Sequence, residues 1–280
     1  MKKIEKEVFD QERALYGERN LSVVDCSFSG PADGESAFKE CTNIDVDNCF
    51  FNLRYPFWHD HVVRINSSEM TENCRASLWY SDHVFIKDTK MHGIKALREC
   101  KDVYISGCDI ISPEFGWSSS SVSIESTSVE SEYFLMRADN VRIKDLKFKG
   151  KYSFQYIENM VIDSSELDTK DAFWHTRNVT VINSTLKGEY LAWYSEDLTL
   201  IDCTIIGTQP FCYCKNLRLV NCKMVDTDLA FEKSEVDAYI SSPIDSIKNP
   251  LFGTIEVENV GEIIIDDINS KGQIIQYNQE

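Results

Sequence analysis

The chain has 280 residues, of which 42% are hydrophobic, so a folded domain with a sizeable core is expected rather than wholesale disorder. It carries 46 acidic against 29 basic residues, for a formal charge of −17. This excess argues against binding to nucleic acid or to an anionic membrane, because both need fields of Lys and Arg.

Residues 1–19 are predicted to form an N-terminal cap. Ile4, Val8 and Leu15 would fall near one face of a short helix, which Gly17 could end. The first residues lack the apolar segment of a signal peptide, and no run of about 18 apolar residues is present. The ten cysteines are then expected to be reduced thiols. We therefore predict a cytoplasmic protein without a membrane span.

From residue 20 the chain repeats a short pattern. An apolar anchor is followed by a second apolar residue two positions later and, in nearly every repeat, by a small residue five positions later; the last eight spacings between anchors are all 19 residues. The anchors are Leu21, Ile44, Val63, Val84, Val103, Val122, Val141, Met160, Val179, Leu198, Leu217 and Val236.

Each repeat alternates apolar and polar residues with period two, as a half-buried strand does, and bends before a second strand begins. A third apolar segment follows 12 to 14 positions after the anchor. Three short strands cannot bury their inner faces alone, but stacked coils can. We therefore predict an all-β fold: a single-stranded right-handed parallel β-helix of three sheets, with about 12 coils of ~19 residues. Residues 1–280 form one domain, with coils over 20–242 and a strand-rich C-terminal cap over 243–280.

The position before the anchor is often asparagine. Asparagine tolerates the left-handed backbone of a tight corner, and stacked amides can hydrogen-bond from coil to coil. We interpret this column as structural. Its asparagines are Asn20, Asn43, Asn140, Asn159, Asn178 and Asn216.

The cysteines and histidines do not form a recognised metal motif. Five cysteines share the small-residue position, where Cys acts as a small buried apolar group. Cys212 and Cys214 lack a second ligand pair, and His59 and His61 are interpreted as part of a polar loop. We predict no metal site and no cofactor.

All five tryptophans occupy one position of the third sheet, 14 residues after the anchor or its equivalent in a longer coil. The preceding position is apolar or Gly and is predicted to point inward, so the tryptophans are predicted to point outward. Flat aromatic faces beside hydrogen-bonding side chains suit sugar rings. They are Trp58, Trp79, Trp117, Trp174 and Trp193.

The C-terminal half carries the candidate site. His175 could act as general acid or base, and Asp171 and Glu189 lie one coil apart, as paired carboxylates require. The candidate catalytic residues are His175, Asp171, Glu189 and Glu232. The candidate substrate-binding residues are Trp174, Trp193, Tyr190, Tyr194, Gln209, Tyr213 and Asp228.

These residues favour a protein that binds or processes a neutral or weakly charged saccharide on the outer face of the third sheet. Whether it is an enzyme stays open; a carbohydrate-active lyase, hydrolase or isomerase would be expected. The alternative is a non-enzymatic module for protein interaction or self-assembly, with a homo-oligomer as its product. In a third alternative the tryptophans are core residues.

Four stretches, residues 172–175, 188–195, 207–214 and 228–232, resemble an uncharacterised bacterial family described as a domain of unknown function. Its members resemble single-stranded right-handed β-helices of the pectin-lyase-like kind, and the likeness covers nearly the whole chain. The resemblance implies the fold and its handedness. It implies no activity and no catalytic residues, since fold does not determine function.

Overall fold

The computed structural model describes residues 1–29 and 35–277. The chain is an all-β parallel β-solenoid of about 14 turns, which confirms the predicted fold class. It divides into two compact units, Met1–Arg142 and Ile143–Glu280. The described residues contain no helix, and thus none that could cross a membrane.

Unit 1 contains sixteen strands. They are β1 (Lys2–Glu5), β2 (Val8–Phe9), β3 (Arg19–Val24), β4 (Ser27–Ser29), β5 (Thr42–Asp47), β6 (Phe50–Asn52), β7 (Phe57–Trp58), β8 (His61–Asn66), β9 (Glu69–Met70), β10 (Leu78–Trp79), β11 (Asp82–Lys87), β12 (Lys90–Met91), β13 (Leu97–Arg98), β14 (Lys101–Ser106), β15 (Asp109–Ile111) and β16 (Ser120–Glu132). Strand β17 (Asp139–Lys151) contains the point at which the two units divide.

Unit 2 contains the remaining strands. They are β18 (Glu158–Asp163), β19 (Glu166–Lys170), β20 (Arg177–Ile182), β21 (Thr185–Lys187), β22 (Glu196–Ile201), β23 (Thr204–Ile206), β24 (Leu217–Val225), β25 (Val236–Ile240), β26 (Ile244–Lys248), β27 (Thr254–Val257), β28 (Val260–Ile264) and β29 (Gln273–Gln276).

The anchor strands pair in parallel and form what we call the first face. In unit 1 the order is β1, β3, β5, β8, β11, β14 and β16, and in unit 2 it is β18, β20, β22, β24, β25, β27 and β29. Anchors stand opposite anchors, as Val84 and Val103 do. Val103 and Ile105 point inward and are buried, whereas Tyr104 between them is exposed. The period-two pattern therefore sets which side of each strand is buried.

The second face follows the bend after the anchor strand. Its strands pair in the order β2, β4, β6, β9, β12, β15 and β16 in unit 1, and β17, β19, β21 and β23 in unit 2, with the end of β24 completing the row. Near the C-terminus β26 pairs with β28. The third face carries the short strands β7, β10 and β13 in unit 1. In unit 2 it is built mainly of turns.

The N-terminal segment differs from the expected helix. Residues 2–9 form β1 and β2, which pair in register with β3 and β4. Ile4 stands opposite Val23, and the ring of Phe9 stacks on that of Phe28 with centroids 4.8 Å apart. The predicted short helix in the N-terminal cap is therefore wrong, because Lys2–Glu5 and Val8–Phe9 add strands to the stack of coils.

Corners between faces use left-handed backbone. Asn178 has a φ of 55°, and its Nδ2 donates to Oδ1 of Asn159 at 2.7 Å, as the amide column predicted. A second column, four residues after the anchor, was not predicted. In it Asn221, with a φ of 52°, donates to Oδ1 of Asp202 at 2.7 Å. Each column marks one corner of the coil, and that corner repeats from coil to coil.

Candidate functional site

The third face of unit 2 has an unusual backbone, which positions the candidate residues. In the coil through residues 171–175, Asp171, Phe173 and His175 all have φ between 52° and 61°. Left-handed backbone costs a non-glycine residue roughly 1 kcal/mol, so the coils above and below must hold it in place. Each of the three donates its N–H to a carbonyl of a neighbouring coil: to Glu189, Ser153 and Trp193, each at 3.0 Å.

Trp174 and Trp193 point outward and are half-buried, as predicted from the buried position that precedes them. Their indole rings stack with centroids 5.5 Å apart and an interplanar angle of 6°. The Nε1 of Trp174 donates to the carbonyl of Tyr190 at 2.7 Å, and that of Trp193 to the carbonyl of Gln209 at 2.8 Å. The two facing indole surfaces and both N–H groups are thus already used within the protein.

A row of four polar aromatic side chains lies beside the tryptophans, and we call it the Tyr–His ladder. It consists of Tyr156, His175, Tyr194 and Tyr213, with centroid separations of 5.0, 5.0 and 4.8 Å and angles of 9°, 6° and 12°. Tyr156 is 45% exposed and Tyr194 is 46% exposed. The faces of the two inner rings are covered, so the ladder presents ring edges to solvent.

The predicted carboxylate pair differs in environment between its two members. Asp171 is 7% exposed, and burial raises the pKa of its carboxyl, with Lys170 opposing the rise and Glu189 adding to it. Glu189 is exposed and forms an ion pair with Nζ of Lys170 at 2.7 Å. The same Nζ lies 5.2 Å from the ring centroid of Tyr190. Asp171 is therefore the member that favours holding a proton.

The remaining candidates lie toward the C-terminal end of this face. Glu232 is half-buried and pairs with Nζ of Lys248 at 3.2 Å. Burial, followed by the charge of Glu232, raises the pKa of Tyr213. Gln209 and Asp228 are half-buried and are joined by a backbone hydrogen bond of 2.9 Å.

The candidates form two columns with the tryptophans between them. Trp193 contacts both: its ring lies 5.5 Å from that of Tyr190 in one column and 5.8 Å from that of Tyr213 in the other, both nearly edge-on. Asp171, Tyr190, Gln209 and Asp228 form the first column. His175, Tyr194, Tyr213 and Glu232 form the second.

Unit 1 has a comparable aromatic surface in which cations take part. Trp58 and Trp79 stack with centroids 6.0 Å apart. The Arg98 guanidinium lies 5.7 Å from the ring of Trp79 and 5.4 Å from that of Trp117. Lys39 Nζ lies 4.4 Å from the ring of Trp58. The sequence interpretation included neither cation in the candidate site, although Arg98 shares the tryptophan position.

A cluster on the first face of unit 1 contains ligand-type side chains. Nδ1 of His83 lies 2.7 Å from Oδ1 of Asp82, and Nδ1 of His61 contacts the same oxygen. The two imidazole rings are 5.1 Å apart, at an angle of 68°. One ligand atom from each residue lies within 4.8 Å of the others. The sequence interpretation paired His61 with His59 instead, because Asp82 and His83 lie one coil away.

The solved structures that resemble this chain do so weakly. A periplasmic alginate epimerase AlgG double mutant shares 9% identity over 92% of this chain and 76% of its own, with a TM-score of 0.27. A GH87 alpha-1,3-glucanase catalytic domain in complex with tetrasaccharides shares 7% identity over 98% of this chain and 64% of its own, with a TM-score of 0.30. QnrB1, a plasmid-mediated fluoroquinolone resistance protein, shares 10% identity over 84% of this chain and 89% of its own, with a TM-score of 0.25. Scores this low carry no functional argument.

Sequence comparison gives a family without an activity. No curated protein matches the chain. The resemblance to a family of unknown function is confirmed, whereas its bacterial origin stays a prediction. Residues 2–276 match the family model described as protein of unknown function (DUF3737), and the chain belongs to that family.

Proposed function

We propose that unit 2 binds a neutral or weakly charged saccharide along its third face, with the Tyr–His ladder as the contact surface. The observation that carries this proposal is the exposure of Tyr156 and Tyr194, at 45% and 46%, within an ordered stack of four polar rings. A stack that served stability alone could be built from apolar rings and would not need hydroxyl and imidazole groups at its exposed edge.

The chemistry of the ladder edge suits a polyhydroxylated ligand. A tyrosine hydroxyl both donates and accepts hydrogen bonds, and the imidazole of His175 offers a donor and an acceptor when neutral. Successive coils repeat these groups at the ring spacing of the stack, so an extended ligand would meet equivalent groups along its length. The charge of −17 disfavours polyanionic saccharides.

In this proposal the tryptophans take a supporting role. Because Trp174 and Trp193 cover one another and their N–H groups bind backbone carbonyls, they support the ladder, and the saccharide would contact ring edges. If the bound saccharide is processed, Asp171 is our proposed proton donor, and Glu189, which pairs with Lys170, is the second carboxylate. Two carboxylates in different environments suit the two roles that glycosidic-bond chemistry requires.

Removal of the ladder hydroxyls tests this proposal. The double substitution Tyr156→Phe and Tyr194→Phe keeps both rings in the stack and removes only the two hydroxyl groups. Against a panel of neutral oligosaccharides, titration calorimetry should show binding to the native protein and a loss of about tenfold or more in the double variant. Tyr239→Phe is the matched control, since Tyr239 is also exposed and stacked, on Tyr277 at 5.6 Å on the first face.

Two results would contradict the proposal: no binding across the panel, or affinity that is unchanged in the double variant. The alternative, self-assembly through the same face, predicts a concentration-dependent dimer. Sedimentation of the native protein and the double variant separates these cases, because only self-assembly predicts that the substitutions shift a monomer–dimer equilibrium.

A further inference from the structure

We propose that His61, Asp82 and His83 bind a first-row divalent transition-metal ion, with Zn²⁺ as the reference ion. The site lies on the first face of unit 1, and it is independent of the saccharide proposal.

The coil register brings the three residues together. His61 begins β8 and Asp82 begins β11, and the two are direct partners in the parallel pairing of these strands. His83 follows Asp82 at the left-handed corner, with a φ of 53°, in the column that asparagine occupies elsewhere. Both imidazoles direct Nδ1 at the same carboxylate oxygen of Asp82.

This donor set selects a class of ion. Two imidazole nitrogens and one carboxylate oxygen suit Zn²⁺, Co²⁺, Ni²⁺ or Cu²⁺, whereas Mg²⁺ and Ca²⁺ prefer oxygen ligands throughout. His61 and His83 are exposed and Asp82 is half-buried, so water can complete the coordination shell. Without metal, each Nδ1 can donate a proton to Asp82; on binding, any proton on a ligating nitrogen is released to solvent as its lone pair turns to the ion.

A second carboxylate stands behind one of the histidines. Oδ2 of Asp102 lies 3.8 Å from Nε2 of His83, on the side of the ring away from Asp82. At this distance the contact is electrostatic and is not a hydrogen bond. A small shift of the ring on metal binding would let Nε2–H donate to this carboxylate while Nδ1 binds the ion, the arrangement common behind metal-bound imidazoles. Lys101 is the register partner of Asp82 on β14, and no ion pair joins these two side chains within the described part of unit 1.

The solenoid itself supplies conservative substitutions. Thr42 is the register partner of His61 in the preceding coil, and Asn43 occupies the corner position that corresponds to His83. The double variant His61→Thr and His83→Asn therefore replaces each ligand with a residue that this fold already accepts there. His92→Ala is the matched control, because His92 pairs with Asp109 at 3.0 Å but has no second imidazole.

The test is equilibrium dialysis and calorimetric titration of the full chain with Zn²⁺ at neutral pH. We expect a single Zn²⁺ in the native protein and in His92→Ala, and none above background in the His61→Thr, His83→Asn variant. Asp82→Asn should weaken binding by more than about tenfold, and Asp102→Asn by about tenfold. Melting of each variant in EDTA checks that its fold is intact.

A second measurement needs no variant. Imidazole ¹⁵N resonances of the native protein should shift at Nδ1 of His61 and His83 on addition of Zn²⁺, while those of His92 stay in place. Absence of Zn²⁺ binding in the native protein, equal binding in the double variant, or ¹⁵N shifts confined to other histidines would each overturn the proposal.

Discussion

The indole rings of Trp174 and Trp193 stack with an interplanar angle of 6° and centroids 5.5 Å apart. Each ring belongs to a different coil, so the contact joins neighbouring coils through their outer side chains as well as through their backbone. The surface that looks like a ligand platform in sequence thus also stabilises unit 2.

This dual role predicts a cost in stability for Trp193→Ala. The change removes the stack, the hydrogen bond to the carbonyl of Gln209 and half-buried apolar area, so we expect a loss of about 2–3 kcal/mol in the free energy of unfolding. Trp193→Phe keeps a ring and should lose about 1 kcal/mol. Chemical unfolding followed by circular dichroism measures both, and an unchanged midpoint in Trp193→Ala would contradict the role.

Gly188 is predicted to be irreplaceable at its corner. Its φ is 148°, and a Cβ atom there would overlap the carbonyl oxygen of Thr169. Gly188→Ala should therefore destabilise the protein by more than about 3 kcal/mol. Gly17→Ala is the control: its φ is 69° with nothing within 4 Å of an added Cβ, so only about 1 kcal/mol is expected. Similar thermal unfolding midpoints for the two variants would refute this.

Asp60 should make stability depend on pH. It is 1% exposed; its Oδ1 accepts the N–H of Cys41 at 2.7 Å, and its Oδ2 lacks a hydrogen-bond partner within residues 1–29 and 35–277. Burial raises the pKa of this carboxyl well above its usual range. Because the folded pKa exceeds the unfolded one, the folded state is penalised increasingly as pH rises above about 4.

Asp60→Ser removes that penalty while keeping an acceptor of the kind found at Ser81, one coil later, which accepts the N–H of residue 60 at 3.1 Å. The gain in stability over the native protein should be small near pH 4 and grow toward neutrality, as measured by urea unfolding across this range. Asp47→Ser, at an exposed position, is the control. A gain that does not grow with pH would contradict a raised pKa at Asp60.

Four of the cysteines should be unreactive in the folded protein. All ten are buried, and none is part of a disulfide. Burial raises the pKa of four thiols to about 12: those of Cys41, Cys49, Cys100 and Cys212. Since the thiolate is the reactive form, Ellman's reagent at mildly alkaline pH should label these four only after unfolding.

Ser128→Cys places a thiol at an exposed position and should react at once, which controls for the reagent. Rapid labelling of Cys41, Cys49, Cys100 or Cys212 in the folded protein would show that these coils open readily. The cytoplasmic location stays a prediction.

The sequence was sufficient for features that repeat in every coil. The 19-residue spacing predicts the solenoid, and the buried Phe173 predicts that Trp174 next to it points outward. The first coil was not recognised because Lys2 stands where later coils have an apolar anchor. Its remaining inward apolar residues are Ile4, Phe9 and Leu15.

Features that depend on contacts between coils were harder to predict. The indole N–H of Trp174 bonds to a carbonyl 16 residues further along, and His61 meets Asp82 at a separation of 21 residues. Both separations depend on the length of the coil that lies between the two residues. The residue pattern alone does not show which positions of neighbouring coils stand opposite each other. The orientation of a ring decides whether an indole face is free, and it cannot be predicted from residue spacing.

The constant coil length between Val84 and Val236 also fixes how the protein can tolerate changes in length. Removing one complete 19-residue segment, for example from Val179 through Asp197, would bring Leu198 into the place of Val179, which is already its register partner. Removing a single residue between Val179 and Gly188 would instead place Glu189 at a corner that only glycine fits, against the carbonyl oxygen of Thr169. Insertions and deletions in this family should therefore come in whole coils, or should be confined to corners where a loop can leave the stack.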